Sequence, residues 1–183
     1  GTGGGIPLGI ESEYKADSAV VALWMLHYYE KKQDYEDALR DYEGMELGVG
    51  SSKLELVPIH GSMPGDRTGD QAARLVDTAA RLERQRAWLK LVEDVEANLP
   101  PKMRLFLKLR WEVVEKDGKI KSGRYRGRPA WIPYVQYNYC HGVANLTGKK
   151  PEDCWIESPK VFTGFWNRIV AYAAHLAAKR GLV

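Results

Sequence analysis

The stretch that decides the fold is Ser158–Arg180, SPKVFTGFWNRIVAYAAHLAAKR. Serine followed by proline is a helix start, a capping residue and then a ring already set to helical φ at the first helical position. Lys179-Arg180-Gly181 is a helix end, cations in the last turn and a glycine beyond it. Wound at about 100° per residue, Phe162, Phe165, Trp166, Ile169, Tyr172, Ala173 and Leu176 fall on one side. Lys160, Thr163, Gly164, Asn167 and Ala171 fall on the other, with Arg168 at the edge. The first face predicts a core stripe. The second carries groups that can meet phosphates or base edges, spaced by small residues that permit close approach.

Working back along the chain, Ala130–Asn145 reads as a shorter helix, with Trp131, Ile132, Val135, Tyr139, Val143 and Leu146 as its stripe and Pro133 tolerated in the first turn. About a dozen residues, LTGKKPEDCWIE, separate it from Ser158. A short helix followed by one with exposed polar N-terminal turns is the order of a helix-turn-helix reader of a DNA major groove. Before it, Lys116–Arg128 holds six cations and one acid, a cationic connector with a turn signal at Asp117-Gly118. It reads either as a solvated loop or as an arm that touches phosphates or enters a minor groove. Pro101 suits the first position of a further helix carrying Met103, Phe106, Leu107, Leu109 and Trp111.

Two longer helices are predicted upstream. One starts at Asp17 or Ser18 and runs to about Tyr42, with a stripe of Val20, Trp24, His27/Tyr28, Lys31, Tyr35, Leu39 and Tyr42. The other opens at Thr68, where Gln71 completes a capping box, and carries Leu75, Ala79, Leu82, Leu89, Val92, Val95 and Leu99. Neither can bury its stripe alone, which predicts an antiparallel hairpin or pairing between subunits. Residues 44–66 read as a linker, in which LELVPIH is at most an edge strand. The glycine-dense start, GTGGGIPLG, reads as a mobile lead-in without the context of a phosphate loop. The expected fold is therefore all-α. It has a flexible start over 1–16, an acidic helical hairpin over 17–99 and a basic helix-turn-helix domain over 100–183.

Charge supports that division. The 183 residues carry 27 Lys+Arg and 24 Asp+Glu, a net +3. Residues 1–99 hold 11 basic and 18 acidic side chains, and residues 100–183 hold 16 and 6. A balance of −7 against +10 predicts a two-part molecule whose basic part meets a polyanion. The absence of an apolar run long enough to span a bilayer, and of a signal peptide, predicts a cytoplasmic protein with no membrane partner.

Catalytic and metal chemistry find little support. Cys140, His141, Cys154 and the distant His175 match no standard zinc spacing, so no metal or other cofactor is expected. His27 and His60 have no nucleophile near them in sequence. Glu36-Asp37, Glu93-Asp94 and Glu152-Asp153 are adjacent pairs that point to different helix faces. The chain is not expected to be an enzyme.

The segment DRTGDQAARLVDTAARLERQRAWLKLVEDVEANLPPKMRLFLKLRWE, with the closing SPKVFTGFWNRIVAYAAHLA, resembles the ArpU/RinA-type phage transcriptional regulators. The Leu99–Trp111 junction and the last helix are the most specific parts of that likeness. It implies a helix-turn-helix like region 4 of bacterial housekeeping sigma factors, binding double-stranded DNA near the host nucleoid to activate phage or prophage genes. Host RNA polymerase and a second copy of the chain are the other implied partners. By position, Ser158 would cap the reading helix and meet a phosphate. Lys160, Thr163, Gly164, Asn167 and Arg168 would face the groove, Asn suiting adenine and Arg suiting guanine or phosphate. Arg124, Arg126 and Arg128 would add contacts indifferent to sequence. The dozen-residue turn departs from the few residues usual in sigma-like readers. The alternatives are a phage DNA-packaging component, such as a small terminase subunit, and a module docking RNA polymerase.

Overall fold

The computed structural model describes the backbone of residues 8–46 and 64–183, and the side chains of 17–46 and 69–183. Among these residues the fold is all-helical: α1 Leu8–Leu26, α2 Tyr28–Glu46, α3 Pro64–Asn98, α4 Pro101–Glu112, α5 Ile132–Thr147 and α6 Lys160–Lys179, with a 3₁₀ turn at Pro151–Cys154. The only extended pairing among them is a single antiparallel bridge between Lys119 and Pro129. The lead-in before Leu8 and the LELVPIH stretch lie outside the described residues.

Several helix limits differ from the sequence reading. The first helix starts at Leu8, upstream of Asp17 and Ser18, and is interrupted at His27, whose amide still donates to the Leu23 carbonyl at 3.0 Å. Its buried line is Val21, Met25 and Tyr28, whereas Val20 is 44% exposed and Trp24 half-buried. The buried line is thus shifted by one residue, about 100° of helix, from Val20 and Trp24 of the stripe read in the sequence, and rejoins that stripe at Tyr28. Thr68 lies inside α3 rather than capping it, because the helix begins at Pro64, a residue suited to a first turn. Pro101 does open α4, and Pro133 does sit in the first turn of α5.

The described chain forms two compact units. Among the described residues, one comprises 28–46 and 64–90 with Leu182; the other joins 8–27 to 91–181 and Val183. One limit between these units falls inside α3, and α1 is grouped with the unit that holds α4, α5 and α6. In that larger unit α1 packs on α6, and α4, α5 and α6 pack on one another. Trp111 Nε1 donates to the Met25 carbonyl at 2.6 Å, tying the end of α1 to α4. Arg180 reaches Asp94 at 2.7 Å, tying the end of α6 to the last turns of α3.

The core of this unit is aromatic. Phe106 of α4 stands 5.9 Å from Trp131, 5.6 Å from Phe165 and 6.4 Å from Phe162. Tyr139 of α5 meets Phe162 at 5.5 Å edge-on. Such edge and offset contacts each contribute roughly 0.5–1.5 kcal/mol beyond burial. In the other unit, Tyr28, Leu82, Trp88 and Leu89 are buried.

Candidate nucleic-acid interface

The candidate site is built on α6, whose two faces differ because the aromatic core claims one of them. Phe162, Ile169, Val170, Ala173 and Ala177 are buried, and Phe165, Trp166 and Leu176 half-buried. Tyr172, read as core, is exposed instead; Val170, two residues before it, is buried in its stead. On the opposite face Lys160, Asn167, Arg168 and Ala171 are exposed, and Thr163 and Gly164 half-buried. A Cβ added at Gly164 would meet nothing within 4 Å. The spacing 160, 164, 167, 171 places these residues along one line of the helix, with Arg168 beside it.

Ser158 is exposed but does not cap α6. The helix starts one residue later than read, Pro159 holds the N-cap position, and no side chain satisfies the first amides. The Ser158 carbonyl accepts from Val161 at 3.3 Å, so the serine contributes its backbone and not its hydroxyl. At the other end the reading holds: Gly181 is left-handed at φ 72°.

The segment between α5 and α6 is ordered by α5. Gly148 closes that helix at φ 74°, donating to the Ala144 carbonyl at 2.8 Å. Gln136 Nε2 then donates to the carbonyls of Ile156 at 2.7 Å and Glu157 at 3.3 Å, holding the approach to α6. Trp155 Nε1 bonds the Glu157 carboxylate at 2.8 Å. Leu146, read as part of the α5 stripe, is 56% exposed.

The cationic connector is closed on itself. Asp117 Oδ1 accepts from the Gly118 amide at 3.0 Å, and Ala130 donates back to the Gly118 carbonyl at 3.0 Å. Ile120 and Arg128, then Gly127 and Ile120, are joined amide to carbonyl at 2.9 Å each. Gly118, Gly123 and Gly127 supply the positive φ values, near 90°, that this tight course needs. Lys119, Lys121, Arg124, Arg126 and Arg128 are all exposed, so the three arginines singled out from sequence share one loop. At its root Tyr134 donates to Glu112 at 2.6 Å, and that bond to a carboxylate holds the phenol above its usual pKa.

Arg110 was not distinguished in the sequence from its cationic neighbours, yet it is 3% exposed. Its guanidinium lies over Trp131 at 4.7 Å and Trp166 at 5.4 Å, with Nη1 3.4 Å from the Val113 carbonyl. Burial pulls its pKa down to about 10, partly offset by Asp117. The signal was present: Arg110 falls four residues after Phe106 and three after Leu107, on their face. Gln136 gives no comparable signal.

Among the described residues no three His, Cys, Asp or Glu side chains gather to hold a metal ion, and no helix is long and apolar enough to cross a membrane. Comparison with family models, characterised proteins and solved structures returns no match to this chain.

Proposed function

We propose that this chain is a sequence-specific double-stranded DNA-binding transcriptional regulator, with α5 and α6 as an expanded helix-turn-helix. On this reading α6 lies in the major groove, and Lys160, Thr163, Gly164, Asn167 and Arg168 face the bases and the flanking phosphates. Arg124, Arg126 and Arg128 neutralise backbone charge without selecting sequence. The acidic helices serve as a hairpin for pairing with a second copy or for contact with RNA polymerase, and the regulated genes belong to a phage or prophage. No catalytic step is assigned.

One observation carries the reading. The α6 face bearing Lys160, Asn167 and Arg168 is open to solvent, while on the opposite face Phe162 and Phe165 pack against Phe106 and Tyr139. A rigid helix with an open polar face beside a glycine that leaves room for close approach meets the requirement for groove entry.

Selection of bound duplexes from a random pool tests this directly. A recovered consensus, lost on Asn167→Ala or Arg168→Ala at a cost of about 1–3 kcal/mol, is the expected result. An equal loss on selected and random duplexes would remove base readout from α6. Light scattering of the free protein should find a monomer or dimer; a ring of many subunits would favour DNA packaging over regulation.

A further inference from the structure

We propose that the 117–130 loop is a binding site for unpaired nucleotides, in which an exposed base stacks on Tyr125 while Lys121, Arg124 and Arg126 neutralise the flanking phosphates. This goes beyond the duplex reading assigned to α6 and does not depend on it. Tyr125 stands among cations: between Gly118 and Ala130 the sequence has five of them and no acid. Tyr125 is 47% exposed although backbone hydrogen bonds cross the loop around it. Arg128 lies over the ring at 4.7 Å and Arg124 at 5.8 Å, two cations within reach of the aromatic group. Arg126 donates its amide to Gly123 at 3.2 Å and Arg128 to Tyr125 at 3.1 Å, which fixes the tip.

The chemistry selects the ligand. An acidic protein segment would satisfy the cations but offers a tyrosine a planar partner only where it carries an aromatic side chain, whereas every nucleotide carries one. A duplex covers its base faces by stacking them on one another. A single strand supplies both a phosphate chain and free π-faces, and a preformed cationic loop with an open aromatic ring matches the two together. The guanidinium over the ring adds a cation–π contribution to a tyrosine that a base can stack on.

The test uses the full chain and the anisotropy of a labelled short oligothymidylate beside a blunt duplex. Binding of the oligothymidylate is expected, weakened about tenfold by Tyr125→Ala and restored by Tyr125→Trp, with duplex affinity unchanged within about twofold. Tyr125 is at the surface, so its removal leaves the core intact. The proposal is overturned if the oligothymidylate is not bound. It is also overturned if Tyr125→Ala weakens both nucleic acids equally, or if polyglutamate displaces the strand as well as unlabelled oligothymidylate does. Duplex binding without strand binding would sink this proposal alone; strand binding through Tyr125 without duplex binding would sink the α6 reading alone.

Discussion

The guanidinium of Arg110 lies 4.7 Å from the centre of the Trp131 ring, with Trp166 on hand at 5.4 Å. Its Nε is buried without a hydrogen-bond partner. A bare cation would not survive such a site; a delocalised one between indoles can, since each cation–π contact returns about 0.5–2 kcal/mol. Because burial lowers the Arg110 pKa to about 10, the folded state holds that proton less tightly than the unfolded chain does, although the group stays charged at neutral pH. The resulting penalty is present at neutral pH and lifts only as pH rises past about 10. Substitution is the sharper probe. Arg110→Lys loses the planar stack and keeps the charge, so it should destabilise by about 1–3 kcal/mol in urea unfolding. Arg110→Met removes the charge and the orphaned donor while filling similar volume, and should be the milder change. A lysine variant as stable as the parent would refute this account of the stack.

The two thiols differ by burial. Cys140 is 4% exposed, donates to the Tyr137 carbonyl at 3.1 Å, and is pushed up in pKa chiefly by that burial. Thiolate, the reactive form, is therefore suppressed there. Cys154 at the end of the 3₁₀ turn is half-buried. A thiol reagent such as DTNB should label one cysteine in the native protein and the second only on unfolding. In Cys154→Ser the fast phase should vanish; its persistence would mean that α5 opens readily around Cys140.

Phosphate contacts and base contacts leave different salt signatures. Each phosphate neutralised on duplex DNA contributes a slope of about −0.9 to the dependence of log affinity on log salt. Arg126→Ala, on the exposed loop, should lower affinity for all duplexes alike and reduce the slope by about that amount. Asn167→Ala should leave the slope unchanged and alter only the preference for sequence. Titrations at several salt concentrations separate the two, and a slope unaltered by Arg126→Ala would take the loop off the phosphates.

Much of the helical fold is legible in the sequence because periodicity is a strong signal where burial is one-sided. Leu82, Leu89, Val92, Val95 and Leu99 were all on the expected α3 stripe and all are buried. Phe106, Leu107 and Trp111 behaved likewise on α4. Helix starts were less legible. Thr68 and Ser158 are good capping residues, but a capping preference of about 1 kcal/mol yields when neighbouring residues can extend the helix or a proline takes the cap position. The rotation of the α1 stripe from Val20 to Val21 was hidden because Ala19, Val20, Val21, Ala22 and Leu23 are apolar all round, so only the packing against α6 chooses a face. The polar face of α6 was readable from the wheel. The closure of the cationic loop was not, since it depends on backbone bonds between Gly118, Ile120, Gly127, Arg128 and Ala130 that leave no mark on composition.

Gly142 and Gly164 are both helical glycines, and they make opposite demands. A Cβ at Gly142 would come within 2.6 Å of Leu105 Cδ2 and 2.9 Å of Cδ1, so α4 and α5 approach closely because that position has no side chain. At Gly164 the added carbon meets open space. Alanine is favoured over glycine inside a helix by about 1 kcal/mol. Gly164→Ala should therefore stabilise the protein by roughly that amount, raising Tm by about 2–4 °C for a chain of this size. Gly142→Ala should show no such gain, because Leu105 must move to admit it. A glycine on the open face of α6, where alanine would be the more stabilising residue, fits a surface that another molecule approaches closely. If α6 enters a groove, Gly164→Ala should raise Tm and Gly164→Leu should weaken duplex binding while the fold persists. Unimpaired binding by Gly164→Leu would mean that nothing docks over that turn of the helix.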